Sequence, residues 1–322
     1  MLTMEMYRNA FLTYLNEQKN NKEPENLYTP IDYIMGLGGK RIRPVLVLMS
    51  SDLFGGDYNE AMEAALSVEM FHNFTLIHDD VMDKADLRRG NQTVHKKWDL
   101  NTAILSGDAL MIMSNQRLEH YSGETFKLLI SLYNKTALEV CEGQQLDVDF
   151  EDLVDVPLAT YIKMISYKTA VLVGASLKMG AIIADASLDD QQKIYDFGLN
   201  LGIAFQLQDD YLDTFGTEDF GKRIGGDILE GKKTFLYIMA LELANDEDRA
   251  KLLELYSTDL DEDYKIAEVK KLLIKYGLEA LLTEHIEQYT MKAFQDIEGL
   301  SIESSKKQVL KNFGLGLMNR KT

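Results

Sequence analysis

Proline is the scarcest structural breaker in this chain: four stand in 322 residues, at positions 24, 30, 44 and 157. Everything after Pro157 is free of it. Proline removes a backbone donor and clashes with the preceding helical turn, so its absence permits long uninterrupted helices. Pro44 and Pro157 stand directly before apolar-periodic stretches, where a first-turn position is tolerated. Helical spacing appears in Ala64, Val68, Phe71, Thr75 and Met82, in Leu128, Leu132, Leu138 and Cys141, and in Ile194, Phe197, Leu201, Phe205 and Leu212. Strand-like alternation is nearly absent. The pattern predicts an all-α fold of ten or more helices in one domain spanning 1–322, since no Ser/Pro linker marks a boundary.

Charge narrows the function. Lys and Arg number 34 against 52 Asp and Glu, a formal charge of -18, which argues against nucleic-acid binding and against anionic membranes. Any anionic substrate must then meet a local basic cluster or metal ions. The single cysteine, Cys141, excludes an intramolecular disulfide and a multi-thiolate zinc site, which fits a reducing compartment. The first twenty residues lack the charged-then-apolar order of a secretory signal, and Ala170–Ala184 is too short for a membrane span. A cytoplasmic protein without integral membrane association is expected.

Two segments repeat each other 130 positions apart. Leu76-Ile77-His78-Asp79-Asp80-Val81-Met82-Asp83 returns in outline as Gln206-Leu207-Gln208-Asp209-Asp210-Tyr211-Leu212-Asp213, each near the end of a long apolar helix. Residues four apart share a helix face, so Asp79 with Asp83 and Asp209 with Asp213 present paired carboxylates, flanked by Asp80 and Asp210. Acids near a helix C-terminus are unfavourable by roughly 0.3 to 1 kcal/mol, and like charges at this spacing repel further. Such placement, made twice, points to Mg2+, which takes carboxylate oxygens and completes its shell with water and substrate phosphates. Two matching clusters suggest two helices facing each other across a cavity. The basic residues complete the pattern: Gly38-Gly39-Lys40-Arg41-Ile42-Arg43 offers an anion cradle, Arg88-Arg89 follows the first cluster, and Lys222-Arg223 and Lys232-Lys233 follow the second.

Taken in order, these residues resemble the trans-isoprenyl diphosphate synthases of the polyprenyl synthetase family. The resemblance runs over roughly residues 30 to 240 through Gly39–Pro44, His72, Asp79–Asp83, Arg88-Arg89-Gly90, Gly107-Asp108, Gly143-Gln144, Lys168-Thr169, Phe205-Gln206, Asp209–Asp213, Gly221-Lys222 and Gly225-Gly226-Asp227 to Lys232. It implies a single helical bundle around a central cavity and Mg2+ as cofactor, with three ions expected once substrate is bound. It also implies a homodimer. The metal candidates are Asp79, Asp80, Asp83, Asp209, Asp210 and Asp213. Lys40, Arg43, His72 and Arg89 match the isopentenyl diphosphate site. Arg88, Lys168, Lys222 and Lys232 match ligands of the allylic prenyl diphosphate, and Lys168, Thr169 and Gln206 stand where the family places catalytic groups. Arg320 and Lys321 are expected to fold over the phosphates.

The implied activity is Mg2+-dependent head-to-tail condensation of isopentenyl diphosphate with dimethylallyl, geranyl or farnesyl diphosphate. Ionising an allylic diphosphate needs its leaving charge neutralised, which carboxylate-bound Mg2+ and Lys/Arg donors supply without a nucleophilic Ser or Cys. A terpene cyclase would carry a mixed Asn/Ser/Glu second motif, and a regulatory subunit would have lost one aspartate cluster. Phe74, five residues before Asp79, with Thr75 beside it, corresponds to the position that sets product length in the family. A bulky residue there implies farnesyl or geranylgeranyl diphosphate, and two residues between the aspartates favour the latter. A longer-chain synthase is the alternative.

Overall fold

The computed structural model describes residues 1–18, 22–216 and 224–318; Lys222, Arg223, Arg320 and Lys321 lie outside them. The chain folds into helices α1 (Met4–Glu17), α2 (Glu25–Gly36), α3 (Ile42–Leu53) and α4 (Met62–Met82) before a two-residue hairpin, β1 (Leu87–Arg88) with β2 (Asn91–Gln92). There follow α5 (Val94–Lys97), α6 (Leu100–Gln116), α7 (Gly123–Glu151) and α8 (Leu158–Ile165), then a π turn (Ser166–Ala170), α9 (Val171–Ile183) and α10 (Leu188–Phe215). The C-terminal helices are α11 (Gly226–Glu230), α12 (Phe235–Leu243), α13 (Asp246–Ser257), α14 (Glu262–Lys275), α15 (Leu278–Glu298) and α16 (Ser304–Met318). The all-α expectation holds, with the hairpin as the one strand pairing among the described residues. No described helix is long and apolar enough to cross a membrane.

Packing divides the chain into two compact units, one of Met1–Lys135 with Ala175–Gln192, the other of Thr136–Gly174 with Lys193–Thr322. In the first, α4 packs chiefly on α6 and α3, and its buried residues run almost all the way around it, from Ala64 and Val68 to Glu69 and Asn73. A helix buried on nearly every side belongs in a core, and its buried polar residues then need partners, as Glu69 finds in Arg41. Pro30 sits inside α2 although proline disfavours that position. Leu27, in the turn before it, accepts at its carbonyl a hydrogen bond from Ser106 Oγ of α6 at 3.1 Å, which ties α2 to α6.

The second unit is built around α12, whose residues Phe235 to Leu241 are all buried, with α8, α13, α14 and α15 against it. On α10 Ile194, Phe197, Leu201 and Leu212 of the expected stripe are buried, and Phe205 is half-buried. On α7 the period is right and the face is wrong. Leu129, Tyr133, Thr136 and Val140 point inward while Leu138 and Cys141 are exposed. Both faces of that helix carry apolar residues, so spacing shows the helix but not which side is covered.

Candidate active site

In the first unit the site grows from the turn before α3. Gly38 and Gly39 hold φ of +80° and +121°, conformations that a side chain disfavours. A Cβ on Gly39 would lie 2.8 Å from the Arg89 guanidinium carbon, and Arg89 Nη1 donates to the Gly38 carbonyl. Glycine therefore lets an arginine lie directly on the turn. Arg41 turns inward, ion-paired with buried Glu69 and donating to the Met35 carbonyl. The cradle thus presents Lys40 and Arg43 rather than three cations.

A hollow of about 480 Å3 is lined by Gly39, Lys40, Arg43, Glu69, His72 and Arg89, among others. All four residues matched to isopentenyl diphosphate meet there. Arg43 Nη1 lies 3.3 Å from His72 Nε2. Burial, reinforced by Arg43 and Arg89, holds the His72 pKa well below the ordinary histidine range, so the ring is neutral and can accept from the guanidinium. Burial also draws the Arg43 pKa down, although a guanidinium stays charged at physiological pH.

Farther along α4, Asp79 is half-buried, Asp80 buried and Asp83 exposed at the helix C-cap. Asp80 Oδ1 accepts from Arg88 Nε at 3.0 Å and Nη2 at 2.5 Å, while its buried Oδ2 has no hydrogen-bond partner. Burial raises the Asp80 pKa against the lowering effect of Arg88. Phe74 is buried against Phe71 and the ring of His78, whose Nε2 lies 3.1 Å from the Ile104 carbonyl of α6. Thr75 donates to the His72 carbonyl.

In the second unit the decisive element is the π turn, which carries Lys168 and Thr169. Such an insertion re-aims side chains that a regular helix would not present together, and it recurs at functional sites. Two glycines clasp it. A Cβ on Gly143 of α7 would lie 2.3 Å from Lys168 N, and one on Gly202 of α10 would lie 2.7 Å from Ala170 Cα. Lys168 Nζ donates to Asp147 at 2.6 Å, and Thr169 Oγ1 lies 3.3 Å from Gln206 Oε1. These residues line a cavity of about 140 Å3 with Tyr161, Asp210, Asp227, Lys232 and Lys233.

Asp210 is buried and accepts from the Tyr161 hydroxyl and, at 3.4 Å, from the Phe235 amide. Burial pushes its carboxyl up to about 7, with Asp227 and Asp213 adding to the effect. The Gly225–Asp227 turn folds back on α10, its Asp227 amide donating to Asp213 Oδ2 at 3.0 Å. Lys232 pairs with Glu230 at 2.7 Å and Asp227 at 3.3 Å. Asp80 and Asp210, grouped with their neighbours as metal candidates, differ from them in being fully buried. Asp147 and Tyr161 escaped sequence reasoning, and Asp227 entered it only as part of the family pattern, without a role. Asp147 does follow Gly143 by one helical turn, and Asp227 does follow a double glycine.

A model of the family described as polyprenyl synthetase matches residues 24–273. The chain belongs to the polyprenyl synthetase family. Membership makes it a prenyltransferase of the isoprenyl diphosphate synthase class. Among solved structures it is similar to a geranylgeranyl pyrophosphate synthase, at 49% identity and TM-score 0.95 with 100% of both chains covered. It is 37% identical to the geranylgeranyl diphosphate synthase of Saccharolobus solfataricus over 96% of this chain and 93% of that one. It is also 37% identical to the geranylfarnesyl diphosphate synthase of Natronomonas pharaonis, over 70% and 72% respectively.

The family uses divalent metal ions. Among the described residues no three acidic or imidazole side chains converge into a ready-made cage. Asp79 and Asp83 at the end of α4, and Asp209 and Asp213 near the end of α10, stand one helical turn apart in each case and offer carboxylate oxygens of the kind that hard divalent cations take.

Proposed function

We propose that this polyprenyl synthetase joins isopentenyl diphosphate to an allylic diphosphate, from dimethylallyl to farnesyl, and releases a short product, geranylgeranyl or farnesyl diphosphate. The hollow of the first unit carries the reading. Lys40, Arg43 and Arg89 meet there around a neutral His72, and the lining carboxylate, Glu69, is neutralised by Arg41. Such a surplus of donors fits a diphosphate, and the neutral imidazole lets Arg43 keep its full charge for the ligand. Arg89 fixes the turn that carries Lys40, so ligand and turn are ordered by the same group.

Asp79, Asp83, Asp209 and Asp213 are the residues that would hold Mg2+, while Asp80 positions Arg88 and Asp210 holds Tyr161 and the Phe235 amide. Bound Mg2+ supplies Lewis-acid neutralisation of the departing pyrophosphate. Arg88, Lys168 and Lys232 add charge-assisted donors to that leaving group, Lys222 joining them by resemblance. Thr169 and Gln206 present oxygens to the allylic carbon as its C–O bond breaks. The isopentenyl double bond then forms the new C–C bond, and the released pyrophosphate removes the proton that restores an alkene. Phe74, wedged between Phe71 and His78, limits product length, with Thr75 beside it on the aspartate face. The names of several relatives favour the geranylgeranyl product.

A homodimer belongs to the same reading. Leu105 and Ile112, seven residues apart on α6, are 59% and 57% exposed and offer an apolar face for a second copy. The single exposed thiol suits a reducing, cytoplasmic setting. The two substrate sites are tested by Arg43→Ala, which should raise KM for isopentenyl diphosphate and leave the allylic KM within a few-fold. An effect confined to the allylic substrate would reverse the assignment.

A further inference from the structure

Three lysines line the cavity of the second unit, and two of them already hold carboxylates: Lys168 meets Asp147, and Lys232 meets Glu230 and Asp227. Lys233 differs. Its ammonium donates to the Gly231 carbonyl at 3.1 Å and lies 4.7 Å from the Tyr237 ring centroid and 5.6 Å from that of Tyr256. A second ammonium approaches from α14, where Lys265, 8% exposed, lies 5.6 Å from the same Tyr256 ring. The two tyrosines pack on each other with centroids 4.5 Å apart. Among the described residues, neither lysine has a carboxylate within ion-pair distance.

Two like charges sharing one aromatic pair in a protein of charge -18 need a reason. Ring faces stabilise an ammonium by about 0.5 to 2 kcal/mol, less than a carboxylate in such a setting, and the lysines repel each other. Burial and Lys265 draw the Lys233 pKa down, which reports the same unrelieved strain. Asp227 and Asp213 act on the Tyr256 hydroxyl, so acid charge is felt nearby without contacting either lysine. An anion entering the cavity would relieve the repulsion. A lysine held only by a carbonyl and ring faces can turn toward it without giving up an ion pair.

We propose that Lys233, supported by the Tyr237–Tyr256 pair and by Lys265, is a further binding residue for the diphosphate of the allylic substrate and for the pyrophosphate released from it. The inference rests on the prenyltransferase reading above. Lys168 and Lys232 must exchange carboxylates to bind this anion, whereas Lys233 stands ready for it.

Calorimetric titration of the full chain with inorganic pyrophosphate and Mg2+ provides the test, with ligand-free thermal denaturation as a check on folding. Lys233→Met should weaken pyrophosphate binding by about tenfold or more, the worth of one charge-assisted hydrogen bond. Lys233→Arg should restore it to within a few-fold, and Lys265→Met should weaken it by less than Lys233→Met does. If Lys233→Met fails to fold, Lys233→Gln and Lys265→Met carry the comparison. Unchanged pyrophosphate affinity in folded variants, with only the denaturation midpoint moved, would make the pair structural and overturn the inference alone. Failure of the unmodified chain to bind pyrophosphate would instead overturn the reading beneath it.

Discussion

Arg43 Nη1 and His72 Nε2 stand 3.3 Å apart, so a guanidinium and an imidazole share one face of the first unit's hollow only because the imidazole is neutral. The arrangement has a pH signature. The unfolded chain protonates His72 below about 6.5, whereas the folded chain resists until well below that value. The unfolded state therefore binds the extra proton first, and the His72 contribution to stability is lost as pH falls from about 6.5 toward the lower folded-state value. His72→Asn should lose less stability than the unmodified chain between pH 7 and 5, read from denaturation midpoints in the two proteins. Parallel loss would show that His72 titrates normally.

The two kinds of aspartate should separate on mutation. Asp79→Ala or Asp209→Ala should lower kcat by ~100-fold or more, since metal neutralisation of the leaving group supplies several kcal/mol. Helix content should stay unchanged by circular dichroism. Asp80→Ala acts differently, because it strands Arg88 beside a buried vacancy. It should destabilise the fold by roughly 1 to 3 kcal/mol in urea titrations, less than for a fully buried pair because Arg88 is partly exposed.

Gly143→Ala tests the π turn. The new methyl would meet the Lys168 amide nitrogen, a backbone atom that cannot rotate aside. We expect roughly 1 to 3 kcal/mol of destabilisation from overpacking and a loss of kcat, because displacement of the turn moves Lys168 and Thr169 together. Near-normal stability with normal kinetics would show that the turn gives way freely.

Phe74→Ala should lengthen the product distribution. Phe74 is packed with Phe71 and His78, and its loss opens room of about one ring beneath the aspartates. Chromatography of products from farnesyl and isopentenyl diphosphates checks this, and an unchanged distribution would remove Phe74 from length control.

Much of this was legible in the sequence because spacing and chemistry agreed. The proline-free runs gave helices, and the repeated aspartates fell at the ends of α4 and α10, as their apolar leads required. Lys40 with Arg43, His72 and Arg89 come from three separate stretches of the chain yet line one hollow, which only the family pattern could anticipate. Other features depend on packing that no local pattern encodes. Arg41 reads as one more cation of the cradle until its backbone, at φ 51°, turns it toward Glu69. Asp210 reads as a twin of Asp209 until Tyr161 and the Phe235 amide engage it from other helices. The π turn at Ser166–Ala170 left no periodic trace beside a stretch as apolar as 170–184, and Leu138 shows how a two-sided apolar helix hides its buried face.

The central claim is chain elongation to a short prenyl diphosphate. Its most direct measurement is chromatography of the products formed by the purified full chain from labelled isopentenyl diphosphate with dimethylallyl, geranyl or farnesyl diphosphate, with Mg2+ and with chelator. Mg2+-dependent turnover ending at geranylgeranyl or farnesyl diphosphate is the expected result. Absence of any elongated product, or products longer than these from the unmodified protein, would contradict it.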